Sequence, residues 1–208
     1  MPILFLIRHG ENEFTQKGRL PGHLPGIHLN ERGKEQAAQL AESLGKLPIK
    51  AIYASPLERA VETAAPIARA LNLEIELRPG LRDSNTGSWS GKEIRKLRND
   101  PAWKIVQNTP SRARFPEGES FLELQTRIVN EIEDIAARHP KDLVAVVYHA
   151  DPILLTVAYY LGLPLDEFHR LAMSTGAASL LAVSNGSAHL LAHNLTPPFK
   201  IDLPRPRK

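Results

Sequence analysis

The pattern of hydrophobic and polar positions along the chain predicts buried strands that alternate with amphipathic helices. Residues 3–7 and the run "LVAVVY" are apolar at every position, which is typical of parallel strands covered on both faces. "KAIYAS" and "EIEL" are shorter strand candidates. Apolar residues recur at helical spacing after Asn30, from about Leu57 and after Ser120, so a helix is predicted at each of these places.

The last part of the chain predicts one more helix and a hairpin. The helix is expected from about Pro152 to Leu161, and "ASLLAVSNGSAHLLAHN" is predicted to form two strands with a turn at Asn185-Gly186. Strands that alternate with helices favour a parallel sheet between two helical layers. We therefore predict an α/β fold, a three-layer α/β/α sandwich whose mainly parallel sheet has an antiparallel edge strand.

The length of 208 residues and an irregular middle region predict one domain with an insertion. Residues 79–117 are rich in proline and poor in periodicity, so we predict an irregular cap over the site, with a short helix near 91–99. This cap belongs to a single domain of residues 1–196, and residues 197–208 form a Pro-rich basic tail. The chain has no cysteine, no apolar run of membrane-spanning length and no secretory signal, from which a cytoplasmic location is expected.

The net charge of +3 is small, and basic and acidic residues are mostly interleaved. One segment is denser, because Lys92–Arg114 holds seven basic and two acidic residues. No nucleic-acid-binding module is recognisable, so the segment is interpreted as a solvated helix face or as a basic rim that attracts an anionic small molecule. Neither a nucleic acid nor a membrane is expected as a partner.

Side chains that bind oxyanions follow three of the predicted strands. Arg8 and His9 end the first strand, His149 follows "LVAVVY", and Arg59 lies in the first turn of the helix after "YAS". Ligands of parallel α/β sheets bind at the carboxyl ends of the strands, where these side chains should meet. Arginine bonds phosphate oxygens bidentately, and an imidazole can attack phosphorus. The sequence thus predicts a pocket for a phosphate ester, in which a nearby carboxylic acid would protonate the leaving group.

Six segments carry a resemblance to a known family, and they occur in the family's order: "LIRHGENEFT", "HLNERGKEQA", "YASPLERAVETA", "LRDSNTGSWSG", "FPEGES" and "VVYHADPIL". The sequence resembles the histidine phosphatase superfamily, in its phosphoglycerate mutase-like branch, over roughly residues 3–192. The resemblance implies that His9 is the phosphorylated nucleophile, and that Arg8, Arg59 and His149 complete the phosphate pocket. It implies no metal and no organic cofactor.

Three features depart from the family pattern, and one of them is the loop "GHLPGIHL", which replaces a more usual Asp-containing loop. Asp83 stands where the family usually has a proton-donating glutamate, so the resemblance implies that Asp83 is the acid, on a shorter side chain. Asp151 is a rival acid, and an N-cap of the following helix is an equally good interpretation of it. Thr15 replaces the usual asparagine and is expected to give the phosphate one hydrogen bond.

The resemblance favours a phosphomonoester hydrolase of the histidine acid phosphatase type, acting on a small phosphorylated metabolite. A middle insertion shorter than mutases tend to carry favours hydrolysis, and a cofactor-dependent phosphoglycerate-type mutase is the alternative. A protein that binds phosphate without turnover is a third hypothesis, and a homodimer stays open. Gly10 is expected to let the backbone approach the phosphate, and Trp89 and Trp103 are expected to pack a small core.

Overall fold

The computed structural model describes residues 1–184 and 187–199. Within this part of the chain the strands are β1 (Ile3–Arg8), β2 (Ile49–Ala54), β3 (Ile75–Leu77), β4 (Leu143–Tyr148), β5 (Ala178–Ser184) and β6 (Ser187–Leu195). They form one sheet in the order β3-β2-β4-β1-β5-β6. Strands β1 to β4 pair in parallel, whereas β5 is antiparallel to β1 and β6 is antiparallel to β5. The predicted α/β fold with an antiparallel edge is confirmed.

Helices cover both faces of this sheet. They are α1 (Glu13–Gln16), α2 (Glu31–Leu44), α3 (Glu58–Leu71), α4 (Ile94–Leu97), α5 (Pro101–Asn108), α6 (Phe121–Arg138) and α7 (Ala150–Tyr160). Helices α2 and α3 pack on one face, and α6 and α7 pack on the other. Ser120 caps α6 through a reciprocal capping box with Glu123, which satisfies two backbone N–H groups at the helix start.

The apolar run at the start of the chain is explained by burial on both faces of the sheet. In β1, Leu4 and Leu6 belong to the core with α6 and α7, whereas Phe5 and Ile7 belong to the core with α2 and α3. All four side chains are fully buried. Because neither face of β1 meets water, the strand shows no alternation of polar and apolar residues.

The middle region is more ordered than its proline content predicted. The helix predicted near 91–99 is wrong in its bounds, because α4 has only four residues and a second helix, α5, follows it. Pro101 suits the first position of α5, and the Asp100 carboxylate caps this helix by accepting from the N–H of Ala102. Trp89 is buried, and its ring lies 5.8 Å from that of the half-buried Trp103, so both indoles pack as expected.

Other predictions concern the start of α7 and the last part of the chain. Helix α7 begins at Ala150 rather than near Pro152, with His149 as its N-cap. The predicted turn at Asn185-Gly186 lies outside the described residues, as do residues 200–208 of the tail. No helix in the described ranges is both long enough and apolar enough to span a membrane.

Candidate active site

Four side chains meet where β1, β2 and β4 end, at the carboxyl edge of the sheet. Arg8 ends β1 and His9 follows it, Arg59 lies in the first turn of α3, and His149 is the N-cap of α7. The ring centroids of His9 and His149 are 5.2 Å apart. Arg8 and His9 line a cavity of about 390 Å³. The structure therefore brings together the four residues that the sequence places at this edge.

His9 is held in the tautomer that a nucleophile requires. Its side chain is buried, and its Nδ1 atom lies 2.7 Å from the carbonyl oxygen of Gly10. A carbonyl oxygen can only accept, so Nδ1 donates and Nε2 keeps its lone pair. Burial lowers the pKa of His9 well below its usual value, and nearby Arg59 and His149 lower it further. The imidazole is therefore neutral in the free protein.

Both arginines have buried N–H groups that no described residue accepts. Arg59 donates through Nη2 to the carbonyl oxygen of Gly22 at 3.0 Å and to the Asp83 carboxylate at 2.9 Å, while its Nε and Nη1 have no partner. Arg8 donates through Nη1 to the carbonyl oxygen of Met173, and its Nε has no partner. A buried donor without an acceptor costs about 1–3 kcal/mol. These free donors indicate a site for an anion.

His149 is oriented by a serine at the end of β2. Its Nε2 lies 2.8 Å from the hydroxyl oxygen of Ser55, which also accepts a 3.4 Å contact from the N–H of Leu57. The Ser55 hydroxyl group can therefore donate its hydrogen bond to Nε2, and the N–H of His149 then lies on Nδ1. Nδ1 is buried without a hydrogen bond and lies 3.6 Å from the Asp83 carboxylate. Burial also lowers the pKa of His149 well below its usual value.

Asp83 brings a carboxylate into this cluster from the loop after β3. Its Oδ2 accepts from Arg59, and its Oδ1 accepts from the N–H of Ser84 at 2.9 Å. The backbone of the loop is held as well, because the Asp83 carbonyl oxygen accepts from Arg127 at 3.2 Å and from His23 at 2.6 Å. The shorter aspartate therefore still reaches Arg59 and His149, and it lines the cavity.

Asp151 is a second carboxylate that lines the cavity. It lies in the first turn of α7, but the N-cap of this helix is His149, so the N-cap interpretation of Asp151 is wrong. As a whole residue, Asp151 is half-buried. Burial raises the pKa of Asp151 to about 6, and the negative charge of Asp83 contributes to the rise, whereas Arg8 opposes it.

Thr15 lines the cavity, but its hydroxyl group is engaged in the backbone of its own helix turn. It donates to the carbonyl oxygen of Asn12 at 2.9 Å and accepts from the N–H of Asn12 at 3.0 Å. The N–H of Thr15 donates in turn to the Asn12 side-chain oxygen, and this bond together with the one from the Asn12 N–H forms the capping box of α1. Thr15 could donate to a phosphate only by giving up its hydrogen bond to the Asn12 carbonyl oxygen. The sequence did not indicate this loss.

Gly10 is required by a contact between two backbone segments. A Cβ atom at Gly10 would lie 2.5 Å from the carbonyl oxygen of Gly33 in α2, which is closer than real Cβ contacts come. The N–H of Gly10 donates to the hydroxyl of Thr63 at 2.9 Å. The sequence predicted that the Gly10 backbone closely approaches a phosphate. In this structure the close approach of Gly10 is to the start of α2.

Comparison with family models decides the class of protein. The model of the histidine phosphatase superfamily, branch 1, matches residues 4–196. The chain belongs to this superfamily. The resemblance drawn from the six segments is therefore confirmed, and with it the phosphoglycerate mutase-like branch.

Relatives within the superfamily have more than one activity. The chain is 32% identical over 199 residues to phosphoserine phosphatase 1 of Hydrogenobacter thermophilus, covering 94% of this chain and 93% of the relative. It is 30% identical over 186 residues to a 2,3-bisphosphoglycerate-dependent phosphoglycerate mutase of Thermoplasma acidophilum, covering 89% and 90%. Because the chain covers so much of that mutase, chain length does not separate hydrolases from mutases, contrary to our expectation.

Solved structures of the superfamily have the same fold. A phosphoserine phosphatase of Entamoeba histolytica, in complex with 3-phosphoglyceric acid, superposes with a TM-score of 0.87 at 25% identity, covering 95% of this chain and 98% of that one. YhfR of Bacillus stearothermophilus gives a TM-score of 0.86 at 27% identity, covering 92% and 96%.

Sequence reasoning did not predict three residues that contact and position the site residues, namely Ser55, His23 and Arg127. Ser55 could have been found, because it ends a predicted strand at the same edge as the other site residues. His23 and Arg127 had no such signal, because one lies in an irregular loop and the other on the flank of a long amphipathic helix. Among the described residues, no group of three or more histidine and acidic side chains is placed to hold a metal ion.

Proposed function

We propose that the protein is a phosphomonoester hydrolase that acts on a small phosphorylated metabolite through a phosphohistidine at His9, without a metal. One observation carries the proposal. The Nδ1–H of His9 is bonded to Gly10, which leaves the Nε2 lone pair free in a residue that lines the cavity with Arg8, and buried N–H groups of Arg8, Arg59 and His149 lack acceptors around it. A tetrahedral phosphoryl group would satisfy those donors and present phosphorus to Nε2.

The proposed reaction has two displacements. In the first, Nε2 of His9 attacks phosphorus, the ester P–O bond breaks, and Asp83 gives its proton to the leaving oxygen. In the second, water attacks the phosphohistidine, Asp83 takes a proton from the water, and the N–P bond electrons return to Nε2. The two arginines and His149 hold the equatorial oxygens, where negative charge is spread in the transition state.

Asp83 is assigned as the acid because its carboxylate is held inside the phosphate cluster by Arg59. Asp151 is the alternative acid, since it lines the same cavity and burial already raises its pKa to about 6. Substitution of each aspartate by asparagine, described below, separates the two.

The direct experiment measures phosphate release from an aryl phosphate at mildly acidic to neutral pH. We expect steady release by the wild type and by His189→Ala, a control at an exposed histidine on β6, and none by His9→Ala. A phosphoryl donor should give the wild type and His189→Ala an acid-labile label, and it should not label His9→Ala. Absence of release by the wild type, or equal release by His9→Ala, would contradict the proposal.

A mutase is the second candidate, and it is favoured by the mutase relative from Thermoplasma acidophilum. A mutase would return the phosphoryl group to a second hydroxyl of a sugar acid and lose little of it to water. Isomerisation of a phosphoglycerate that is faster than its hydrolysis would identify this activity. A third candidate, phosphate binding without turnover, predicts that His9 is never labelled.

A further inference from the structure

The carboxylate of Asp151 lies on the cavity wall without an ion-pair partner. Asp83 has an ion pair with Arg59, but Asp151 makes no ion pair with the residues that the structure describes. At neutral pH it is ionised, since its pKa is about 6. A half-buried carboxylate that makes no ion pair is costly, so such a group in a binding cavity is a candidate receptor for a cation.

A serine hydroxyl group lies next to it. Ser84 is 2% exposed and lines the cavity, and its hydroxyl group has no hydrogen-bond partner among the described residues other than the Asp151 carboxylate. The hydrogen bond from Ser84 lowers the pKa of Asp151, against the larger effect of burial. A carboxylate and a hydroxyl together offer several acceptor lone pairs to one ligand group.

The positive charge that now offsets Asp151 is the one that phosphate would use. Arg8 is the cation that lowers the pKa of Asp151, and Arg8 also lines the phosphate pocket. Once a phosphate dianion occupies that pocket, Asp151 faces additional negative charge, and a cation bound beside the carboxyl group would keep it ionised. A substrate that carries a carboxylate here would be repelled, whereas one that carries a positive charge would be attracted.

Resting on the proposed hydrolase activity, we propose that Asp151 and Ser84 form a subsite for a primary ammonium on the leaving group. The substrates are then phosphate monoesters of amino alcohols, with the ammonium a few bonds from the ester oxygen. The ammonium would donate to the Asp151 carboxylate and to the Ser84 hydroxyl oxygen. Trp103, Val106 and Phe115 line other parts of the cavity, and their apolar surface strengthens a charge-assisted hydrogen bond by excluding water.

The test compares three esters of similar size at pH 7.5. These are O-phosphoethanolamine, which carries an ammonium, 2-hydroxyethyl phosphate, which carries a neutral group there, and phosphoglycolate, which carries a carboxylate. We would measure kcat/KM for the wild type, for Asp151→Asn and for Glu35→Gln, a control that removes an exposed carboxylate from α2. Dissociation constants measured on His9→Ala, with and without Asp151→Asn, give the affinity order without turnover.

We expect the wild type to prefer O-phosphoethanolamine over 2-hydroxyethyl phosphate by about tenfold to a hundredfold, as a hydrogen bond to a charged group provides. Phosphoglycolate should be the poorest of the three. In Asp151→Asn the ratio of kcat/KM for these two esters should fall towards one, and in Glu35→Gln the ratio should stay as in the wild type. Dissociation constants should show the same pattern.

A wild type without this preference, or a preference that survives in Asp151→Asn, would overturn the ammonium subsite. So would a loss in Asp151→Asn that is equal for all three esters and spares nitrophenyl phosphate, because Asp151 would then be the general acid. If no ester is hydrolysed and His9 is never labelled, the hydrolase fails instead. The dissociation constants still decide the subsite in that case.

Discussion

Contacts on both oxygens of its carboxyl group hold the Asp83 side chain in place. One oxygen accepts from Arg59 and the other from the N–H of Ser84. A shorter side chain than the family's glutamate is therefore compensated by the position of its loop. Asp151, on the wall of the same cavity, has no such ion pair with the described residues, which is why the two carboxylates are assigned different tasks.

Replacing Asp83 by asparagine tests the assignment of the acid. A nitrophenolate leaves without a proton, whereas an alkoxide needs one, so Asp83→Asn should lower turnover of alkyl phosphates by about a hundredfold or more and that of nitrophenyl phosphate far less. Initial rates on the two classes of ester measure the difference. If Asp151→Asn shows this selective loss and Asp83→Asn does not, the assignment is wrong.

The half-buried Asp151 also predicts how one substitution changes stability. Its pKa is 3.8 in the unfolded chain and about 6 in the folded protein. Between these values the folded state binds more proton, so stability falls as pH rises through this range and stays lower above it. Asp151→Asn should therefore raise the free energy of unfolding at pH 7.5 by about 1–3 kcal/mol.

Urea unfolding of both proteins at pH 7.5 and pH 4.5 measures this gain. It should shrink at the lower pH, where the wild-type carboxyl group is protonated in the folded state. A gain of equal size at both pH values would mean that the introduced asparagine improves packing and that the charge of Asp151 is not the cause.

At the scale of single elements, α6 holds the loop that carries Asp83. The Arg127 guanidinium donates to the carbonyl oxygens of Gly80 at 2.7 Å, of Arg82 at 3.0 Å and of Asp83 at 3.2 Å. Its other contacts are with the Glu119 carboxylate, which also accepts from the N–H of Asn85 at 2.7 Å. These bonds hold the backbone before and after Asp83, so they restrict the direction of its side chain.

We predict that Arg127→Lys displaces Asp83 while leaving the phosphate pocket in place. A lysine ammonium cannot reproduce the planar fork that reaches three carbonyl groups. A shift of about 1 Å in the acid can cost about a hundredfold, so turnover of alkyl phosphates should fall by about tenfold to a hundredfold, and that of nitrophenyl phosphate much less. Arg138→Lys, at an exposed ion pair on the same helix, is the matched control. A loss that is equal for both esters would show that Arg127 acts only on stability.

For the whole molecule, the sheet and the meeting of the strand-end residues follow from the sequence, because both depend on the pattern of apolar strands. The apolar runs of β1 and β4 reflect two covered faces, and parallel strands place Arg8, His9 and His149 at one edge. The cap does not follow, because α5 depends on one Asp-Pro pair in a segment without periodicity. Contacts such as that of Arg127 with the acid loop join residues more than forty positions apart, which no local pattern encodes.

The histidine pair at the carboxyl edge of the sheet makes the stability of the fold depend on pH. His9 and His149 are both buried, and burial holds the pKa of each well below 6.5, the value expected in the unfolded chain. The unfolded state therefore binds more protons than the folded state as pH falls below 6.5. The stability contributed by the two neutral rings is present above this pH and lost below it.

We predict that replacing both histidines flattens the loss of stability on acidification. Urea unfolding from pH 7.5 to 5.5 should be measured in an Asp151→Asn background, because Asp151 titrates nearby with the opposite sign, and in buffers free of phosphate, which would bind the folded state. The free energy of unfolding should fall with pH when His9 and His149 are present, and fall less in the variant with His9→Gln and His149→Asn. His189→Gln, at an exposed position, should leave the slope unchanged. Equal slopes with and without the buried pair would show that other groups cause the acid sensitivity.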